Sequence, residues 1–196
     1  MHVVAGLQVA DMQDSFKIET SRLILRPYQE SDLPEYFELL SDDKNMYFLN
    51  DILTKNIEDA KLSLTDAINL FKTKEAIRFA VAFKNSTKII GAIGYDITGT
   101  TPLGRIGYMG WFLMPKHHGN GYIPEGVKAL LNYAFENDNC IRITTGCYKD
   151  NLPTQRVMAK VGFRLEAEKI QAAYHDGKMK DRLEYAINKN EYATML

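Results

Sequence analysis

The chain has 196 residues, 45% of them hydrophobic, with a net charge of −1 and two cysteines. That length suits one domain, or one domain with an extension, and can bury a sizeable core without disulfide staples. The near-zero charge excludes nucleic acid or an anionic membrane as a partner held by bulk electrostatics, so any anion site has to be local; no apolar run approaches the roughly 18 residues of a membrane span.

Residues 1–17 show no clear pattern and read as an N-terminal extension, leaving 18–190 as the domain. The first ten residues carry no Lys or Arg, so no signal peptide is expected and the location reads as cytoplasmic. Arg22 to Arg26 alternates polar and apolar except at Ile24, as a short strand would, and Pro27 ends it. Asp32 with Glu35 signals a helix start, with Leu33, Phe37 and Leu40 on one side. Helical spacing of Ile57, Ala60, Leu64, Ala67, Ile68 and Phe71 predicts a second helix over 57–72. Between them Tyr47, Phe48 and Leu49 have no strong period; they either pack under the helices or line a substrate cleft.

Residues 77–83 and 88–97, joined by Lys84-Asn85-Ser86-Thr87, read as a β-hairpin, and 98–104 as a second turn. A strand over 106–114 stops at Pro115. Then come Lys116-His117-His118-Gly119-Asn120-Gly121-Tyr122 and a helix whose stripe is Ile123, Val127, Leu130, Leu131, Ala134 and Phe135. Glycines at 119 and 121 let backbone N–H groups converge at the positive end of that helix, a nest suited to phosphate. The loop lacks the Lys of a P-loop and the third Gly of a dinucleotide fingerprint. Taken alone, Gly-x-Gly also marks an ordinary turn.

Further on, 140–148 reads as a strand. Cys140 and Cys147 fall on its opposite faces, which argues against a mutual disulfide. A helix begins near Asn151-Leu152-Pro153-Thr154 and ends at Gly162. Residues 164–173 and 179–188 form the last two strands, joined through Asp176-Gly177. Strands in sequence with helices inserted after the first imply an α+β fold with a mixed sheet. His117-His118 has no Cys, Asp or Glu at ligand spacing, so no metal is expected.

Four separated pieces resemble the GCN5-related N-acetyltransferases (GNAT), in the branch similar to the RimJ/RimL ribosomal-protein N-terminal acetyltransferases. Lys116-x-x-Gly119-x-Gly121 resembles the family's Q/R-x-x-G-x-G/A acyl-CoA loop. Thr20 to Pro27 looks like the branch's opening T-x-R-L-x-L-R, and Gly110 to Pro115 with Gly119, Gly121, Tyr122 and Glu125 is similar to G-Y-x-L-x-P-x-x-x-G-x-G-Y-x-x-E. Asn151, Thr154, Lys160, Gly162 and Phe163 match N-x-x-S-x-x-x-x-x-K-x-G-F with Thr for Ser; Asp176, Gly177 and Asp181 match D-G-x-x-x-D.

The resemblance implies a central, mostly antiparallel sheet with a splayed strand pair and acetyl-CoA as cosubstrate. It places the pyrophosphate on the backbone of His118, Gly119, Asn120, Gly121 and Tyr122. The pantetheine arm would lie between the 110–114 and 140–147 strands, with Leu113 and Met114 as backbone partners and Asn151 holding it by its amide. Lys116, Lys128, Arg156 and Lys160 are candidates for the 3′-phosphate of CoA, or plain surface charges.

Many family members protonate the leaving thiolate with a Tyr four residues before Gly-Phe, where Met158 stands here. Thr154 is the substitute, or else it stabilises its helix's first turn. The acceptor is an amine and has to be neutral: near pH 7 an α-amine is about 10–15% neutral, a lysine about 0.04%. The strand over 108–114 carries no carboxylate where several relatives place a base, which favours a protein or peptide N-terminal α-amine. A small amine (polyamine, amino acid, aminoglycoside) or a catalytically silent acyl-CoA-binding module is the alternative. Glu35, Glu38, Asp96 and Asp150 are the candidate bases, while Tyr108 and Trp111 either line the acceptor cleft or pack in the core. A homodimer is common in such folds.

Overall fold

The computed structural model describes residues 16–49 and 54–195. Its sheet is eight-stranded, the strands lying side by side in chain order except that the last two are exchanged. The strands are β1 (Ile18–Glu19), β2 (Leu23–Pro27), β3 (Ala76–Phe83), β4 (Ile89–Thr101), β5 (Gly104–Leu113), β6 (Cys140–Tyr148), β7 (Arg164–His175) and β8 (Lys178–Asn188). All neighbours run antiparallel except β5 and β6, which are parallel. The helices are α1 (Leu33–Ser41), α2 (Asp43–Met46), α3 (Ile57–Thr73), α4 (Tyr122–Glu136), α5 (Leu152–Val161) and α6 (Lys189–Ala193).

Strand alternation gives the sheet two apolar faces, each covered by different helices. On one, Leu23, Leu25, Phe79, Ile93, Met109, Ile143, Cys147 and Leu183 share a core with Val127, Leu130 and Leu131 of α4 and Met158 of α5. On the other, Ala80 and Ala92 pack with Leu39 and Leu40 of α1 and Ala60, Leu64 and Ala67 of α3. The whole stripe expected on α4 is buried. On α3 the first member fails: Ile57 is exposed, because the helix meets the sheet only from Ala60 onward.

Most expected bounds hold to within two residues, and two departures have physical causes. The turn expected over 98–104 shrinks to 102–103, since β4 runs to Thr101. Thr98, Thr100 and Thr101 are β-branched, and their polarity reflects an outer strand end in water rather than a turn. The helix start read at Asp32 holds, Asp32 being the residue just before α1, but its side chain makes no cap bond to that helix. Its carboxylate is buried, receives two bonds from the Arg26 guanidinium (2.8 and 2.7 Å) and accepts the Gln29 N–H at 2.9 Å.

The extension expected over 1–17 lies outside the described residues except for its last two. Phe16 packs against Phe71, Phe79 and Tyr133, and Lys17 pairs with Glu19. Cys140 and Cys147 are free and buried, and burial pushes both thiols up to about 11, which keeps them protonated near neutral pH. No helix among the described residues is long and apolar enough to cross a membrane.

Candidate active site

The site starts where β5 ends. Met114 is fully engaged: its N–H donates to Ile90 O at 2.9 Å and its carbonyl accepts the His117 N–H at 2.9 Å. A 3-10 turn follows over Pro115–His117, and the His118 N–H closes it on Pro115 O at 3.1 Å. Two side chains brace the loop from within. His118 Nε2 donates to Leu113 O at 2.7 Å, and Asn120 Nδ2 donates to the carbonyls of His117 (3.2 Å) and His118 (3.0 Å). The chain then passes through left-handed geometry at Gly119 (φ +79°) and Gly121 (φ +76°), which side-chain-bearing residues resist.

After these bonds, the N–H groups of Gly119, Asn120 and Gly121 make no hydrogen bond of ordinary geometry among the described residues. Those of Tyr122 and Ile123 lie in the first turn of α4, which has no intrahelical acceptor to offer them. No side chain caps α4 either, an omission that costs about 1 kcal/mol. Burial holds the helix instead: a single buried Leu or Phe contributes about 1.5–3 kcal/mol, and α4 buries Leu130, Leu131 and Phe135 together with Ile123, Gly126, Val127 and Ala134. Five donors are thereby left for a ligand at the positive end of a well-anchored helix. His118, expected among these donors, contributes its ring to the brace and not its N–H to the nest.

Residues of the turn just before β2 fix this loop, a relation not visible in the sequence. Arg22 donates to Asn120 O (3.0 Å) through Nη1 and to Glu125 (2.7 Å) through Nε, and lies 4.5 Å over the Tyr122 ring. Glu125 also accepts the Thr20 hydroxyl (2.5 Å), the Ser21 hydroxyl (2.9 Å) and the Arg22 N–H (2.9 Å). A β-carbon at Gly121 would stand 3.7 Å from Arg22 Nη2 and 3.9 Å from Lys160 Nζ, so two cations flank the nest. Of the other cations considered, Lys116 pairs with Glu38 at 3.3 Å.

Burial alone would raise the Glu125 carboxyl, but hydrogen bonds from Thr20, Arg22 and Ser21 outweigh it and hold the group at about 2. A carboxyl depressed from its unfolded value near 4.3 stabilises the fold above that value, and the gain is lost as pH falls through the folded one. Glu125→Gln is therefore expected to lower unfolding stability at pH 7 by about 1–2 kcal/mol, allowing for solvent screening. The gap from wild type should close between pH 5 and 2. Urea midpoints measured across that range check it; a gap independent of pH would contradict the assignment.

Beside the loop the sheet parts. β5 and β6 pair only from Arg105↔Cys140 to Tyr108↔Thr144, although β5 continues to Leu113 and β6 to Tyr148. Successive residues of a strand send their peptide groups to opposite sides, and the Met114 bond to β4 sets the phase. The N–H of Leu113 and both groups of Trp111 therefore face the gap. This is a free strand edge inside a sheet, ending at a nest of free N–H groups.

Comparison with known families bears directly on these features: the model described as an acetyltransferase (GNAT) domain matches residues 22–164. The chain belongs to the GNAT acetyltransferases. YnaD of Bacillus subtilis (strain 168), named an uncharacterized N-acetyltransferase, is 30% identical over 177 residues, covering 89% of this chain and 98% of the relative. The ribosomal-protein-serine acetyltransferase of Escherichia coli (strain K12) is 26% identical, covering 84% of this chain and 94% of that protein. RimL, a ribosomal L7/L12 α-N-protein acetyltransferase solved with coenzyme A, superposes with a TM-score of 0.79 at 21% identity over 90% of this chain and 99% of its own. The parted strands, the glycine loop and α4 are thus the parts of a GNAT N-acetyltransferase fold.

The remaining GNAT candidates take definite places. Asn151 is buried, and its Oδ1 accepts the Thr154 N–H at 3.2 Å, so Asn151 caps α5. The hydroxyl of half-buried Thr154 makes no hydrogen bond among the described residues. Trp111 packs on the α4 core, whereas Tyr108, on the other face, has its hydroxyl 3.2 Å from Arg182. Tyr47 and Phe48 lie against His175, and Phe48 also meets Tyr148, which ties the segment after α2 to the β7–β8 hairpin. Each carboxylate considered as a base is paired: Glu35 with Lys88, Glu38 with Lys116, Asp96 with Arg78 and Asp150 with Lys180. The Lys180 hydrogen bond holds Asp150 below the usual carboxylate range, which weakens it as a base. Among the described residues no group of three or more His, Cys, Asp or Glu could hold a metal ion.

Proposed function

We propose that this GNAT enzyme transfers the acetyl group of acetyl-CoA to the α-amine of a protein or peptide N-terminus in the cytoplasm. The observation that carries the cosubstrate is the nest of free N–H groups, flanked by Arg22 and Lys160, lying at the end of the unpaired β5 edge. A diphosphate suits five N–H donors with two cations beside them. An amide-bearing arm suits the unpaired edge, where the Leu113 N–H and the Trp111 groups can pair with it as a strand would. Met114 has no free backbone group to add.

The chemistry this arrangement supports is direct transfer. The amine attacks the thioester carbonyl, and the leaving sulfur needs a proton. Thr154 is the proposed donor: Asn151 already caps its helix, so its hydroxyl is left uncommitted. The α-amine acceptor is supported by the likeness to RimL and to the E. coli ribosomal-protein-serine acetyltransferase, and by the larger neutral fraction of an α-amine at pH 7.

A peptide carrying both a free N-terminus and an internal lysine separates the acceptors. Incubation with acetyl-CoA should add one acetyl group, located on the first residue by fragmentation in the mass spectrometer. Acetylation of the lysine, or of polyamines and aminoglycosides in preference to the peptide, would overturn the acceptor assignment and leave the reaction standing.

A further inference from the structure

Strand register places a row of residues across the sheet at the gap: Arg78, Gly94 and Gly110 on the β5 side, Gly146 and Glu184 on the β6 side. Each neighbours a residue of the α4 core (Phe79, Ile93, Met109, Cys147, Leu183), so the row lies on the opposite face, toward α1 and α3. Both lips of the gap are thus bare at this level. A β-carbon at Gly110 would meet nothing within 4 Å.

The bareness at Gly146 is filled from next door. The Glu184 carboxylate folds over it, with Oε2 2.8 Å from where a β-carbon would stand. Its Oε1 is held by Lys169 at 3.3 Å and lies 3.7 Å from Arg182 Nε, whereas Oε2 has no hydrogen-bond partner among the described residues. Arg182 in turn reaches the Tyr108 hydroxyl at 3.2 Å and lies over the Tyr148 ring, so one side of the carboxylate is fixed and the other is directed to the gap. Neighbouring groups that titrate or carry charge are Lys169 on β7, Arg182 on β8, Tyr108 on β5 and Cys147 on β6, with the Arg78–Asp96 pair across the gap.

We infer that Glu184 is the general base of the acetyl transfer, receiving the acceptor amine's proton at Oε2 above Gly146. The inference rests on the transfer reading given above. The nitrogen lone pair forms the C–N bond at the thioester carbonyl while an N–H proton passes to Glu184. The carbonyl electrons then return from oxygen and expel the sulfur, breaking the C–S bond, and the thiolate is protonated. Glu184 returns its proton to water, so the balance is amine plus thioester to amide plus thiol. Unlike Glu35, Glu38, Asp96 and Asp150, it combines one unpaired oxygen with a place at the lip of the gap.

Glu184→Gln keeps the shape and removes the basic oxygen. On the best peptide acceptor its kcat should fall about 100-fold or more at pH 7, with acetyl-CoA affinity by calorimetry within twofold of wild type. Its rate should then follow the neutral fraction of the α-amine, which rises about sevenfold between pH 7 and pH 9, and narrow the gap from wild type by about that factor. Retained acetyl-CoA binding shows that the variant is folded. A rate within threefold of wild type, or a pH profile parallel to it, would overturn the assignment while leaving the transfer reading intact. Wild-type enzyme that binds acetyl-CoA but releases no thiol with any amine would overturn both.

Discussion

Gly121→Glu is expected to weaken acetyl-CoA binding about a thousandfold or more while leaving the protein folded. Gly121 sits at φ +76°, where a side-chain-bearing residue costs about 1–2 kcal/mol. Its β-carbon would point between Arg22 Nη2 and Lys160 Nζ, at 3.7 and 3.9 Å. The new carboxylate would therefore neutralise both cations and stand where the diphosphate is proposed to lie. Two like charges 4 Å apart at an effective dielectric of 20 repel by about 4 kcal/mol, which is about three decades in affinity. Gly119→Ala makes a graded control, since a β-carbon there meets nothing within 4 Å and only the φ of +79° opposes it. Its loss should be about tenfold. Calorimetric titration of acetyl-CoA reads both, and unchanged affinity in Gly121→Glu would contradict the assignment of the loop.

Thr154→Ala is expected to reduce kcat about 10- to 100-fold with acetyl-CoA affinity within twofold of wild type. The structure separates the two roles open to this residue. The cap of α5 is the Asn151 side chain bonded to the Thr154 N–H, a contact that Ala retains, so stability should change by under about 1 kcal/mol. The hydroxyl makes no hydrogen bond among the described residues, which suits a group that meets its partner only when the thioester is bound. Thr154→Ser should restore most of the rate. Equal rates for wild type and Thr154→Ala would remove the residue from the chemistry.

The parts legible in the sequence are those fixed by local periodicity and turn chemistry. The α4 stripe, the Gly162 end of α5 and the Asp176-Gly177 hairpin each follow from residues within a turn or two of one another. The threonines over 98–101 misled because polarity marks an exposed strand end as readily as a turn. Asp32 marked the helix start correctly, but the engagement of its carboxylate by Arg26, on a strand before it, could not be read locally.

In the site, the glycine loop could be read, but its bracing could not. Arg22 and Glu125 lie far apart in sequence, and nothing local to either shows that one holds the other. Their presence in two of the matched motifs was the available signal. Met114 was expected to serve the arm because the family resemblance implied it, yet strand phase commits its N–H to Ile90. Glu184 escaped notice altogether. Its place over Gly146 depends on the β6–β8 register and on a missing side chain one strand away.

The most direct test is release of free thiol from acetyl-CoA by the wild-type protein, measured against peptide N-termini, polyamines, amino acids and aminoglycosides, with acetyl-CoA titrated by calorimetry in parallel. Saturable acetyl-CoA binding at one site per chain, with thiol released in step with acetylation of a peptide α-amine, is the expected result. Absence of acetyl-CoA binding would contradict the reading of the nest and the parted strands at its root.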